Sequence, residues 1–284
     1  MFELFYHPIY TDGIDERSRF PKERYKLTKK ILDNSNFDIE FLEPEMANIE
    51  DIYVAHERKY VDSFIAGRLS NKEKREIGLQ PWNDQIVDRT RYIMGGSLGA
   101  LKSAINSNGI AGNMAGGTHH AYHSKGSGYC IFNDLAICAK VAKRDYEKIN
   151  NILIIDLDVH QGDGTAVVFQ DDPSVFTLSV HGASNYPFRK PPSDLDVPLP
   201  KGTGDQGYLD ALSFGVVGAY CYHALKQMSE GVGRTVPMMV MSHQYLLSEE
   251  IPEIEAWTRE VGHKLPLLRD VDVSYYLRQE KAQD

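Results

Sequence analysis

The sequence has few cysteines and no long apolar run. Its three cysteines, Cys130, Cys138 and Cys221, are odd in number and form no Cys-x-x-Cys pair, which argues against a disulfide framework and a thiolate zinc site. No apolar stretch approaches the roughly 20 residues that span a bilayer, and the N-terminal segment lacks the basic and apolar parts of a signal peptide. These absences predict a cytoplasmic protein in a reducing compartment, without membrane contact.

Basic residues are also in the minority. The chain has 31 Lys and Arg against 40 Asp and Glu, a formal net charge of -9. This balance disfavours a phosphate-binding surface, so no direct nucleic-acid binding is expected, and it mildly favours cationic partners such as lysine-rich peptides or polyamines. Hydrophobic residues at 42% and charged residues at 25% are typical of a soluble globular protein.

Short apolar runs rich in β-branched residues alternate with longer segments of helical spacing, the pattern of βα units. We therefore expect an α/β fold, with residues 1–284 as a single domain around a mainly parallel central sheet flanked by helices. The segment between Gly182 and Gly207 is rich in Pro, Gly, Asn and Asp and is predicted to be a long irregular loop. The predicted strands are 3–6, 38–41, 110–112, 151–157, 175–180 and 236–241, and the predicted helices are 22–34, 56–69, 84–106, 133–145 and 208–228.

The clearest chemical signal follows the predicted central strand. Asp156, Asp158 and His160 are spaced two apart, so their side chains are expected on one face as the chain leaves the sheet. Carboxylate and imidazole ligands together suit a divalent ion such as zinc, and α/β sheets place their sites at the carboxyl ends of strands. The alternative is a solvated strand end with capping acids, but the whole pattern after an apolar run favours a metal.

Two adjacent histidines, His119 and His120, follow a glycine-rich stretch. Asp163 is expected to orient one imidazole and Asp156 the other, which would fix the tautomer and raise the basicity of each ring. Such a histidine is suited to take a proton from metal-bound water. The alternative is a surface pair without a role, which the neighbouring Gly, Thr and Ala residues disfavour.

A further stretch, 126–134, places Tyr129 beside Gly128 shortly after the histidine pair. Glycine next to an aromatic ring can form a narrow apolar wall. On residue type alone, however, an aromatic residue is more often part of a core, and Cys130 is more often an inert buried thiol than a nucleophile.

These motifs, taken in order, resemble the zinc-dependent histone deacetylase family, including the acetylpolyamine amidohydrolases. The resemblance extends from Phe2 to about Leu212, and the segment 185–196 looks more like the bacterial members. The motifs that carry it are GGTHHA at 116–121, GYCIFND at 128–134, DLDVHQGDG at 156–164 and FTLSVH at 176–181.

The resemblance implies an arginase/deacetylase-like fold and a role for each matching residue. Asp158 and His160 match two zinc ligands. His120, backed by Asp163, matches the general base, and His119, backed by Asp156, its electrostatic partner. Gly128 and Tyr129 match the walls of the acyl-lysine channel. A potassium ion is also implied, and its matching residues are Asp156, Asp158, His160, Ser179 and Val180.

The sequence departs from the family pattern after Leu212. Only 24 residues separate Leu212 from Pro237, where the family has a longer run that holds a third zinc-binding aspartate, so the C-terminal part is expected to be shortened. Tyr245 is the candidate for the family's oxyanion-binding tyrosine, although Ser-His-Gln precedes it instead of glycines. Asp270 and Asp272 are alternative sources of the third zinc-binding carboxylate, but nothing in their sequence context supports that role, and they are expected to be surface residues.

Two hypotheses follow from these residues. The first is a zinc hydrolase that removes acetyl or related acyl groups from an acetylated lysine peptide, a protein or an acetylated polyamine. The second is a catalytically impaired homologue that binds acyl-lysine or a partner protein, and it is motivated by the missing third ligand.

Overall fold

The computed structural model describes residues 2–107, 109–215 and 234–241. It contains alternating strands and helices, and residues 205–215 are also helical. The strands are β1 Phe2–Phe5, β2 Ile39–Leu42, β3 Ala111–Asn113, β4 Ile149–Leu157, β5 Val175–Gly182, β6 Leu195–Leu199 and β7 Arg234–Met241. The helices are α1 Ile9–Asp12, α2 Glu23–Asp33, α3 Ile49–Tyr53, α4 Arg58–Ile65, α5 Asn71–Ile77, α6 Ile86–Ser107, α7 Asp134–Asp145 and α8 Asp163–Phe169.

Every strand pairing between these elements is parallel. Within the described ranges the strands form two sheets, one in the order β2-β1-β3 and one in the order β6-β5-β4-β7. The expected α/β fold with parallel strands and flanking helices is therefore confirmed, with the strands divided between two sheets. The expected single domain, 1–284, stays a prediction.

Strand β4 is the centre of the larger sheet. It pairs with β5 on one side and β7 on the other, and eight of its nine residues are buried. Its apolar residues, mostly isoleucine, suit a strand that is covered on both faces. Because β4 and β5 are parallel, Asp156 lies opposite Ser179 near the carboxyl ends of both strands.

All six predicted strands are present, with ends shifted by one or two residues. The prediction of an irregular loop between Gly182 and Gly207 was wrong for Leu195–Leu199, which forms β6. This strand lies at the edge of its sheet and pairs only with β5 among the described residues. An edge position tolerates Pro198, which has no N–H to donate on the open side.

Four of the predicted helices overlap α2, α4, α6 and α7, and the described part of the fifth is the segment 205–215. The short helices α1, α3, α5 and α8 were not predicted, because each is too short to show a helical period. No helix in the described ranges is long and apolar enough to span a bilayer.

Candidate active site

The site begins where β4 ends, at Leu157. Asp156 is the last acid within the strand, whereas Asp158 and His160 lie in the turn that follows. The prediction that strand alternation places all three side chains on one face was therefore wrong for Asp158 and His160. Instead, Asp156 Oδ1 accepts a hydrogen bond from the backbone N–H of Asp158 at 3.0 Å, and Asp158 Oδ1 accepts one from that of His160 at 2.8 Å. Each carboxylate thus fixes the turn that brings the next side chain into the site.

Two buried imidazole–carboxylate pairs lie beside this turn. Nδ1 of His119 is 2.5 Å from Asp156 Oδ2, and Nδ1 of His120 is 2.6 Å from Asp163 Oδ1. The two rings are 4.1 Å apart between centroids, and all four side chains are at most 5% exposed. The structure therefore brings each of the two histidines together with the acid that the sequence predicted to orient it.

The carboxylate of Asp163 is itself held in place. Its Oδ2 accepts the hydroxyl of Tyr122 at 2.7 Å, and its Oδ1 also accepts the backbone N–H of Gly164 at 2.9 Å. Asp163 is the first residue of α8, where a negative charge interacts favourably with the helix N-terminus. These contacts fix the carboxylate that orients His120.

The two histidines differ in electrostatic environment. Burial lowers the pKa of His119, but the charge and hydrogen bond of Asp156 outweigh this effect, and the pKa is raised overall. For His120, burial and repulsion from His119 outweigh Asp163, so the pKa is lowered, and the expectation that both rings gain basicity was wrong for His120. The neutral form of His120 and the charged form of His119 are therefore the favoured states near pH 7.

The loop before the histidines is held by a buried carboxylate, that of Asp134. Its Oδ1 accepts the backbone N–H and the hydroxyl of Thr118, each at 2.7 Å. Its Oδ2 accepts the N–H of Gly117 at 3.0 Å and the hydroxyl of Ser97 at 2.6 Å. Four donors thus fix the backbone immediately before His119. Sequence reasoning missed this residue, although its place in the 128–134 motif was a signal.

The donor atoms at the end of β4 suit zinc. Asp158 Oδ1 and His160 Nδ1 are 3.1 Å apart, close to the separation of about 3.4 Å between two ligands on a tetrahedral zinc ion with bonds of about 2.1 Å. The side chains are 19% and 33% exposed, so an ion can reach them. No group of three or more potential ligands converges in the described ranges. The described residues therefore fit two positions of a zinc site.

Gly128 and Tyr129 form a turn that packs against His120. Both residues have positive φ, +53° and +67°, and a Cβ on Gly128 would lie 2.6 Å from Cδ2 of His120. Glycine is required here for both the backbone conformation and the space. The ring of Tyr129 is 46% exposed and packs edge-on against Phe20, with centroids 5.3 Å apart.

A second aromatic wall was missed from the sequence. The ring of Tyr186 lies edge-on to His120 at 5.0 Å and to His160 at 6.1 Å between centroids. Its hydroxyl is 2.7 Å from Ser127 Oγ, so it joins the loop 182–192 to the loop 122–132. The stretch 182–192 contains three prolines and shows no helical or strand period that would place the ring of this tyrosine.

Of the residues matched to a potassium site, Ser179 and Val180 are buried in β5. Ser179 is the register partner of Asp156, and its hydroxyl is 2.9 Å from Nδ1 of His181. The candidates Tyr245, Asp270 and Asp272, and also Cys221, lie outside the described residues. Cys130 and Cys138 are buried, and burial raises the pKa of both thiols, which suits inert side chains.

A buried histidine outside the site, His56, joins the first residue of the loop 122–132 to Asn133, which directly follows the loop. Nδ1 of His56 donates to the carbonyl of Tyr122 at 3.0 Å, and Nε2 accepts the N–H of Asn133 at 2.9 Å. Asn133 in turn caps α7 through Ala136 N. Because both ring nitrogens are used, only the neutral tautomer with a proton on Nδ1 satisfies the contacts.

His56 is expected to make the protein less stable in mild acid. Burial lowers its pKa from 6.5 to about 4. Its contribution is therefore fully present above pH 6.5 and is lost as the pH falls from 6.5 towards 4, by about 3 kcal/mol in all. Urea unfolding at several pH values measures the loss, and His56→Gln, which can make both hydrogen bonds without titrating, should flatten the curve. Equal slopes for the two proteins would contradict this role.

The sequence is similar to known proteins over most of its length. The profile of the histone deacetylase domain matches residues 18–224. The chain is 43% identical over 214 residues to an uncharacterized protein of Picosynechococcus, with 75% of this chain and 70% of that protein covered. It is 30% identical over 196 residues to the acetoin utilization protein AcuC of Bacillus subtilis, with 65% of this chain covered. The chain spans 50% of the length of AcuC.

Two solved structures share the fold. A histone deacetylase homolog complexed with SAHA superposes with a TM-score of 0.66 at 22% identity, covering 84% of this chain and 67% of the other. A homolog from Aquifex aeolicus superposes with a TM-score of 0.62 at 19% identity, with the same coverage. At these identities the structural likeness supports the fold alone.

Proposed function

Because the chain belongs to the histone deacetylase family, we propose that it is a zinc-dependent hydrolase that removes acetyl or related acyl groups from amines. The substrates proposed are an acetylated lysine peptide, a protein or an acetylated polyamine. The observation that carries the proposal is the pair of buried imidazole–carboxylate dyads, His119–Asp156 and His120–Asp163, beside Asp158 and His160. A binding module has no need of two buried, oriented histidines.

His120 is the proposed general base. Its Nδ1 faces Asp163, which places the ring proton on that nitrogen and leaves Nε2 free to accept another. The His120 ring centroid is 5.8 Å from that of His160, so the base stands next to the proposed metal ligands. In this role Nε2 of His120 takes a proton from the attacking water and returns it to the nitrogen of the leaving amine.

His119 is the proposed electrostatic partner. Asp156 holds its Nδ1, and its charged form is favoured. A positive ring directly beside His120 opposes premature protonation of the base and stabilises negative charge that develops on the substrate. The Gly128–Tyr129 turn and the Tyr186 ring would then form the walls around the acyl chain.

Asp158 and His160 would hold the zinc ion. When bound, zinc supplies Lewis-acid polarisation of the amide carbonyl and activation of water. Asp156, Asp158, His160, Ser179 and Val180 remain the proposed surroundings of a potassium ion, with Asp156 and Ser179 adjacent across β4 and β5.

The metal site is tested by titrating the protein with zinc and measuring the binding by calorimetry. The wild-type chain is expected to bind one zinc ion, and His160→Ala should weaken binding at least about tenfold because it removes one of the two described ligands. The matched control is His7→Ala, since the side chain of His7 contacts Tyr92, Glu43 and the backbone N–H of Ile9, none of which belongs to the site.

Acetate release from an acetyl-lysine peptide and from an acetylpolyamine tests the reaction with the same zinc-loaded protein. Release by the wild type and its loss in His160→Ala would support the proposal. A wild-type chain that binds no zinc but still binds the acetylated peptide would overturn it and favour a binding module.

A further inference from the structure

The two loops that wall the site differ in charge from the rest of the chain. Residues 122–132 and 182–192 contain Lys125, Arg189 and Lys190 but neither Asp nor Glu, although acidic residues outnumber basic ones by 40 to 31 overall. The loops therefore carry three positive charges in a protein whose net charge is -9.

Both loops lie at the entrance to the site. The hydroxyls of Ser127 and Tyr186 join them, and the Tyr186 ring packs against His120 and His160. The two outermost rings are exposed, Tyr129 by 46% and Phe188 by 88%. The loops that carry the cations thus also hold the aromatic residue that packs against His120 and His160.

Two of the three cations, Lys125 and Arg189, are exposed, and the third, Lys190, is partly buried. Lys125 is exposed, and its Nζ lies 4.6 Å from the ring centroid of Tyr122, which bonds to Asp163. Arg189 is exposed next to Phe188. Lys190 donates to the carbonyls of Asn185 and Pro187, each at 2.7 Å, and its charge acts on His181. None of the three is ion-paired with a carboxylate of the described ranges.

We propose that this site, if it has the function proposed above, prefers acetyl-lysine in an acidic peptide to acetyl-lysine in a basic one. Positive charge on the loops beside the site attracts carboxylates and repels ammonium groups. The guanidinium of Arg189 can bind a carboxylate in a bidentate manner. The local charge thus points to the opposite class of partner from the one that the net charge suggests.

Two fluorescent acetyl-lysine peptides of equal length test the preference, one with glutamate on both sides of the acetyl-lysine and one with lysine. Binding is measured by anisotropy and hydrolysis as kcat/KM, both at low salt and at about 0.5 M salt, where the Debye length falls below about 5 Å. The acidic peptide is expected to be preferred by about tenfold at low salt, and the preference should shrink at high salt.

Arg189→Glu is the diagnostic variant, and Lys148→Glu is its matched control. Both change the net charge equally at exposed positions. Lys148 precedes the nine-residue strand β4 at its start, about 30 Å from the site at the other end of the strand. Arg189→Glu should reduce or reverse the preference, whereas Lys148→Glu should leave it unchanged.

The outcomes separate this inference from the proposed function. Hydrolysis without preference, or with preference for the basic peptide or an acetylpolyamine, overturns the inference and leaves the function standing. Selective binding of the acidic peptide without hydrolysis supports the inference and counts against the function. Binding of neither peptide, or equal effects of the two variants, overturns the inference.

Discussion

Replacing His120 with alanine is expected to lower kcat/KM for acetyl-lysine hydrolysis by about a hundredfold to ten-thousandfold, the usual contribution of a general base. The variant removes an imidazole whose neutral form is favoured and whose ring lies beside that of His160. The dyad of His119 and Asp156 is left intact, so charge stabilisation persists while proton transfer is lost. The measurement is acetate release by the zinc-loaded protein over a range of substrate concentrations.

In the same assay, Asp163→Asn tests whether the orientation and tautomer of His120 matter while its imidazole is still present. An amide at this position keeps the shape but favours the wrong tautomer of His120, so activity should fall without loss of the ring. His123→Ala is the control, because His123 is a neighbouring imidazole whose Nδ1 bonds only to the carbonyl of Ala55. If His120→Ala and His123→Ala had similar activity, His120 could not be the base.

The sequence was most informative where one physical cause dominates. The apolar run of β4 predicts a buried parallel strand because burial on both faces excludes polar residues. The acids Asp156 and Asp163 were paired with the two histidines because a buried imidazole needs an orienting partner. The structure brings both pairs within hydrogen-bond distance.

Other features depend on contacts between distant segments and could not be predicted. The position of Asp158 and His160 depends on turn hydrogen bonds and not on strand alternation. Tyr186 reaches the site through its bond to Ser127, which lies 59 residues away in the chain. Likewise, β6 forms because Leu195–Leu199 meets the edge of β5, although Asp196 and Pro198 are residue types that strands disfavour.

Asp134→Asn is expected to destabilise the protein by about 2 to 4 kcal/mol, a large effect for a change that replaces one oxygen with an NH₂ group of similar size. Each carboxylate oxygen of Asp134 accepts one backbone N–H and one hydroxyl. An asparagine has only one acceptor oxygen, so its NH₂ group must face the N–H of Gly117 or Thr118 at a buried position. Urea unfolding at pH 7 measures the loss.

The matched control for this substitution is Asp145→Asn, at the last residue of the same helix α7. Asp145 is exposed, and its ion-pair partner within the described ranges is Arg144, so its variant should stay within about 0.5 kcal/mol of the wild type. Because Thr118 immediately precedes His119, Asp134→Asn should also lower kcat even where the protein remains folded, through displacement of both imidazoles. An unchanged free energy of unfolding would contradict this role of Asp134. It would mean that the four donors find other acceptors and that packing of Gly117 and Thr118 holds the loop before His119.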